Sequence, residues 1–178
     1  MRMWMGVLTV GLLFEAEMVV RAQTAIYAEF TGGKIPAANT DWMYGPTIGL
    51  YHDNGLGLIA LGYDVRGSFL RRGDTHGAGS NESLNALEVG VRAAVTPHVL
   101  PIKPYVEALA GYSGLTVGQG SARESASHVA YQFLGGVDFT FLPRLDWRVV
   151  EFSYGRLSGL GNTYAPKTIS TGLVFRLP

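Results

Sequence analysis

Ser170-Thr171-Gly172-Leu173-Val174-Phe175-Arg176-Leu177, with Ile169 before it, alternates along its length. Ile169, Leu173, Phe175 and Leu177 are large and apolar at odd positions, whereas Ser170, Gly172 and Arg176 are small or polar at even ones. A period of two belongs to a strand with one oily and one wet face. Val174 is the one apolar residue that breaks the pattern.

The same period runs back through the chain in eight segments separated by turn-forming clusters. Strands are expected over about Ala25–Thr31, Tyr44–Tyr51, Gly57–Phe69, Leu84–Thr96 and Pro104–Val117, around Val129 to Phe141, and over Asp146–Leu157 and Lys167–Leu177. The clearest carries Val129, Tyr131, Phe133, Val137, Phe139 and Phe141 on one face, with Gln132, Gly136, Asp138 and Thr140 on the other. On the seventh, Val150, Phe152 and Tyr154 stand opposite Glu151, Ser153 and Gly155.

His52-Asp53-Asn54-Gly55 reads as a tight hairpin turn, because an Asn-Gly pair supplies the positive φ angles of a type I′ turn. Pro97–Lys103 and Leu142–Leu145 are two further short turns. Gly32–Met43, Arg71–Ser83, Gly118–Ser127 and Ser158–Pro166 read as long polar loops. Long and short connections therefore alternate, and in a meander that puts every long one at the same end.

A closed barrel accounts for this pattern, and its inner face is the polar one. Eight strands enclose only enough space for side chains to fill. The Gly, Ser, Ala and Thr positions with single charges fit that space, while the aromatic and branched faces do not. Turned outward, those faces form a belt suited to hydrocarbon, and closure leaves no unpaired strand edge. Aromatic residues gather near both ends of this belt, with Tyr44, Phe69, Tyr112, Tyr131 and Tyr154 toward the loops and Phe139, Phe141, Trp147 and Phe175 toward the turns. A soluble lipocalin-like barrel would require the aromatic faces to point inward.

Glu29, Asp64, Arg66, Glu88, Arg92, Glu107, Asp138, Glu151 and Arg176 are the charges expected inside. Folding the strands about their connections brings Arg92 near Glu107, and Glu107 near Asp138. The expected polar cluster comprises Arg92, Glu107, Asp138, Glu88, Glu151 and Arg176. Its reading is structural, since an unpaired charge in so narrow a space is costly.

Residues 1–22 read as a cleavable signal: Arg2 gives a positive start, Met3 to Phe14 an apolar core, and Val20-Arg21-Ala22 a small-residue cleavage pattern. Residues 23–178 are then the barrel domain. Strand count, alternating loop lengths and the closing Gly172…Phe175…Leu177 together resemble the small OmpA-type and OmpX-type outer-membrane barrels of Gram-negative envelopes. The resemblance implies an all-β, eight-stranded antiparallel up-and-down transmembrane barrel that is monomeric and exported to the bacterial outer membrane. It further implies that barrel-assembly machinery reads Gly172, Phe175 and Leu177, and that lipids including lipopolysaccharide surround the barrel.

Several activities lose support. The formal net charge of zero gives no basic field for nucleic acid. Absence of cysteine removes disulfides, thiolate metal sites and a Cys nucleophile. No His, Asp and Glu grouping has metal-ligand spacing, and no cofactor is expected. Gly55-Leu56-Gly57-Leu58-Ile59-Ala60 imitates a dinucleotide fingerprint but opens a strand, so no helix N-terminus awaits a pyrophosphate. Lipid A deacylases of this barrel size carry a His-x-Ser pair; here the corresponding stretch is Glu151-Phe152-Ser153, which lacks the base. Ser127 and His128 adjoin, yet neighbours on a strand point opposite ways. The expected function is therefore non-enzymatic, either envelope integrity or contact with an extracellular ligand through the loops. A narrow porin-like pore is the alternative, and a lipid A-modifying enzyme ranks behind it.

Overall fold

The computed structural model describes residues 21–35, 42–72, 83–97, 100–119, 122–158 and 163–178. They form β1 (Arg21–Lys34), β2 (Met43–Leu56), β3 (Ile59–Arg72), β4 (Ser83–Val95), β5 (Ile102–Gln119), β6 (Ala122–Leu142), β7 (Leu145–Ser158), β8 (Thr163–Tyr164) and β9 (Lys167–Arg176). Each long strand lies antiparallel to the next, and β9 returns to pair with β1 over Ala25↔Arg176 to Lys34↔Lys167. The result is a closed barrel of eight strands, in which the backbone polar groups of each strand are met by its neighbours. The two-residue β8 adds to β7 only, beside Leu157 and Ser158.

Register sets the shape. A line of paired residues starting at Asp138 on β6 passes through Arg148, Gly172, Glu29, Thr47, Ser68, Ala86 and Ser113, then returns to β6 at His128. The return point is ten residues along the strand from the start. A stagger of that size tilts the strands by roughly 35–45° from the barrel axis. Each row therefore climbs as it circles the barrel, and residues from different rows reach the same height inside.

The faces sort as period two demands. Leu87, Val91, Tyr112, Phe133 and Phe152 are more than half exposed on the outside, whereas Asp64, Asp138 and Arg148 are essentially sealed within. Val174 points inward and packs against Ala25, Tyr27 and Tyr51, which explains its departure from the alternation of its neighbours.

Three local expectations change. The β2–β3 turn falls at Gly57-Leu58, with φ +74° at Gly57, and not at His52–Gly55, which continue β2 in register with Gly62, Tyr63 and their neighbours. Inward Asp53 keeps the strand regular past Asn54-Gly55, because its carboxylate binds Arg92. Gly118–Ser127 is not a long loop either: pairing of β5 and β6 continues to Gln119↔Ala122, leaving only residues 120–121 between them. β1 begins at Arg21, so the last two residues of the expected signal pair with Gly55 and Asn54. The rest of that segment lies outside the described residues, as do 36–41, 73–82 and 159–162 of the other three expected loops.

The third change is in β7. Arg148 pairs with Gly172 and Glu151 with Ser170, so Val149 and Val150 together face Thr171. This β-bulge puts Arg148 and Glu151 on the same inner face although they are three apart. Val150, expected outward, is half-buried, and Val149 takes the outer position. Thr171 Oγ1 secures the irregularity by donating to the Arg148 carbonyl at 2.9 Å.

Deleting Val149 removes the extra residue and leaves Arg148 and Glu151 both inward. Deleting Val91 from the regular β4 reverses one side of that strand and turns either Glu88 or Arg92 into hydrocarbon. The first variant is expected to refold and the second to fail, read by the heat-dependent shift in gel mobility. Equal failure of both would show that the bulge is needed for more than side-chain direction.

Candidate functional site

Three arginines, one each from β3, β4 and β7, meet near the barrel axis. Glu107 binds Arg66 at 2.6 Å and also Arg92; Glu151 binds Arg66 at 2.7 Å and Arg148 at 3.2 Å; Asp138 binds Arg148 at 2.9 Å and Arg92 at 3.4 Å. The six groups close a ring of alternating charge: Arg66, Glu107, Arg92, Asp138, Arg148, Glu151. Each arginine also holds one carboxylate of its own. Asp64 lies on Arg66 at 3.2 Å, Asp53 on Arg92 at 3.2 Å, and Glu29 on Arg148.

Tyrosines fill the gaps between the charges. Tyr105 lies under Arg92 and Arg148, with centroid distances of 3.8 and 4.6 Å, and donates its hydroxyl to Glu151 at 2.7 Å. Tyr27 lies under Arg148 at 4.5 Å and donates to Asp64 at 2.9 Å. Tyr51 stacks on Arg92 at 4.2 Å. A guanidinium over an aromatic face keeps favourable electrostatics where water is excluded. Glycine makes room: a Cβ on Gly136 would lie 2.6 Å from Tyr105 Cζ, and one on Gly49 would lie 2.5 Å from Tyr27 Cζ.

Toward the loop end the ring gives way to hydroxyls. Thr31 bonds Thr47 at 2.8 Å and Ser170 at 3.0 Å, Thr47 donates to Ser68 at 3.0 Å, and Ser153 joins Thr168 to Gln132. A cavity of about 30 Å³ lies among these groups and Glu88. That volume holds a water molecule or two. Above it, Ile35, Met43, Leu70, Leu84, Leu115, Ala130 and Leu157 form an apolar plug, with Tyr164 packed against it. At the turn end Asp146 holds Lys103 at 3.1 Å and Arg176 at 3.0 Å.

Of the expected cluster, Arg92, Glu107, Asp138 and Glu151 come together in the ring. Glu88 is buried one layer higher, in the hydroxyl chamber, and Arg176 sits lower, beside Asp146. Gly172 lies opposite Glu29, while Phe175 and Leu177 are exposed outside near the turn end. Sequence reasoning missed Arg148, which strict alternation from Glu151 would place outside. The run Arg148-Val149-Val150-Glu151 carries the signal, since two adjacent valines between two charges break the period. Asp53 was missed because its stretch reads as a turn. Ser127 is exposed and His128 buried, so the two do not face each other. Among the described residues no group of three or more His, Asp or Glu is placed to hold a metal.

No protein-family model matches the sequence, and no curated protein matches it. Solved structures do match. Neisserial surface protein A superposes with a TM-score of 0.68 at 14% identity, over 88% of this chain and 99% of that one. The attachment invasion locus protein of Yersinia pestis gives 0.62 at 13%, over 88% and 99%. The N-terminal β-barrel domain of Pseudomonas aeruginosa OprF gives 0.52 at 16%, over 87% and 100%. The chain has the fold of the small eight-stranded outer-membrane barrels.

Replacing Arg148 by Met strands Glu29 and weakens the hold on Asp138 and Glu151. Loss of one partner from a buried pair costs about 3–5 kcal/mol. Urea unfolding in lipid vesicles is expected to show that loss, against no more than about 0.5 kcal/mol for the exposed Arg71→Met. Equal effects would mean that the ring contributes no more than a surface charge.

Proposed function

We propose that this chain is a non-enzymatic protein of the bacterial outer membrane, a monomeric barrel with a closed lumen that contributes to envelope integrity or contacts an extracellular ligand through its loop end. The carrying observation is the interior: a charge ring, a hydroxyl layer and an apolar plug lie in series, and the cavity between ring and plug has room only for water. The apolar exterior supports a hydrocarbon environment, because about thirty large hydrophobic side chains stand exposed on the described residues. In this reading residues 1–22 direct export, the assembly machinery reads Gly172, Phe175 and Leu177, and lipids including lipopolysaccharide surround the barrel.

The loop end is the place for contact with a partner. The attachment invasion locus protein has also been solved with the heparin analogue sucrose octasulfate, at a TM-score of 0.54 and 15% identity to this chain. Here the extended β5–β6 hairpin stands at the loop end. Rigid barrels carrying variable connections are well suited to such contacts.

Planar-bilayer recording tests the closed lumen. The native chain is expected to be silent, and Arg92→Ala to remain silent, because the apolar plug stands in series with the ring. Currents are expected only when Arg92→Ala is combined with Leu70→Ala and Leu157→Ala. Steady conduction by the native chain would overturn the proposal and make the lumen a solute path.

A further inference from the structure

Charge on this barrel is sorted by face. All eight carboxylates whose burial is described are buried, whereas Lys34, Arg71, Arg144, Arg156 and Lys167 are exposed. Three of these cations are neighbours on adjacent strands. Lys34 of β1 stands directly opposite Lys167 of β9, and Lys167 stands opposite Tyr154 of β7, two residues from Arg156. Rows of paired residues climb toward the loop end from β7 through β9 to β1, so Arg156 is level with the two lysines. Like charges set directly opposite each other destabilise a sheet. None of the three makes an ion pair among the described residues.

A groove of about 320 Å³ runs down the outer face of the same strands, directly beneath these cations. One side is the stack of Phe30, Tyr44 and Trp42, with ring centroids 6.0 and 6.3 Å apart. Ile169 and the bulged Val149 and Val150 form the other. Gly32, at the outward position two before Lys34, lines the groove beneath the Tyr44 and Trp42 rings, which would lie 3.3 and 3.5 Å from a Cβ placed there. A cationic arc over an apolar trough has the charge and shape of a phosphate headgroup with an acyl chain below it.

We propose that Lys34, Lys167 and Arg156 bind the phosphate of one anionic lipid in the leaflet at the loop end, with an acyl chain lying in the groove between Phe30 and Ile169. Bound phosphate relieves the repulsion of the opposed lysines. The aromatic stack orders the chain against a wall that the β7 bulge widens. This site rests on the reading of the chain as an outer-membrane barrel, and it adds a defined lipid to it.

Native mass spectrometry of the protein extracted from membranes, offered equal amounts of lipid A, phosphatidylglycerol and phosphatidylcholine, tests the site. A phosphate-bearing anionic lipid is expected to be retained at least about tenfold more than phosphatidylcholine, since each surface cation favours anionic lipid appreciably. Preference for lipid A or for phosphatidylglycerol then tells which lipid supplies the phosphate. The K34Q/K167Q/R156Q variant is expected to lose the preference, and R144Q, at the turn end, to keep it. G32L fills the groove without altering charge and is expected to lower retention of the anionic lipid by a similar factor. Equal retention of phosphatidylcholine, or a preference untouched in both K34Q/K167Q/R156Q and G32L, overturns the site. Failure of the native chain to float with membranes on a density gradient would instead sink the outer-membrane reading itself.

Discussion

Three guanidiniums and three shared carboxylates form a ring at the centre of the barrel, and the rest of the structure is arranged to hold it. An arginine in so narrow a space is tolerable only when its donors are met and its charge is balanced. Each arginine here meets that condition three times over, through two shared carboxylates and one of its own. The surrounding tyrosines add aromatic faces where further carboxylates would only increase the negative charge. Glycines on the adjacent strands exist where those rings must lie flat. The β7 bulge follows from the same demand, because it brings Arg148 and Glu151 to the same face.

Much of this was legible in the chain. The alternation in Ile169–Leu177 and in Val129–Phe141 identifies strands, and the contrast between bulky and small faces says which side is inside. Alternation also carries Arg92 to Glu107, because direct cross-strand pairing depends only on where a hairpin turns. What stayed hidden depends on breaks in the period. Arg148 was hidden by one extra residue, and Asp53 by an Asn-Gly pair whose local preference for a turn yields to strand pairing and to the Arg92 contact. The apolar plug at Met43, Leu70, Leu84 and Leu157 was missed for another reason. Its members are inward positions near strand ends, where short polar-looking stretches conceal one oily residue each.

The division of charge between faces links the interior to the surroundings. Among the described residues the carboxylates lie in the lumen, where arginines or Lys103 meet most of them. Among the described residues the charged side chains exposed outside are cations, four of them toward the loop end and three of those above an apolar groove. A barrel surrounded by water would gain little from that division. A barrel whose outer face meets hydrocarbon in the middle and anionic headgroups at one rim gains at both levels.

Closure of the ring is tested by a double-mutant cycle between Arg66→Met and Asp138→Asn, two members that do not touch each other. Urea unfolding of the native barrel, both single variants and the double variant in lipid vesicles supplies the four free energies. A closed network predicts that the two losses fail to add by more than about 0.5 kcal/mol, because each variant alters the partners on which the other relies. Simple additivity would contradict the account, reducing the ring to separate ion pairs that share a lumen.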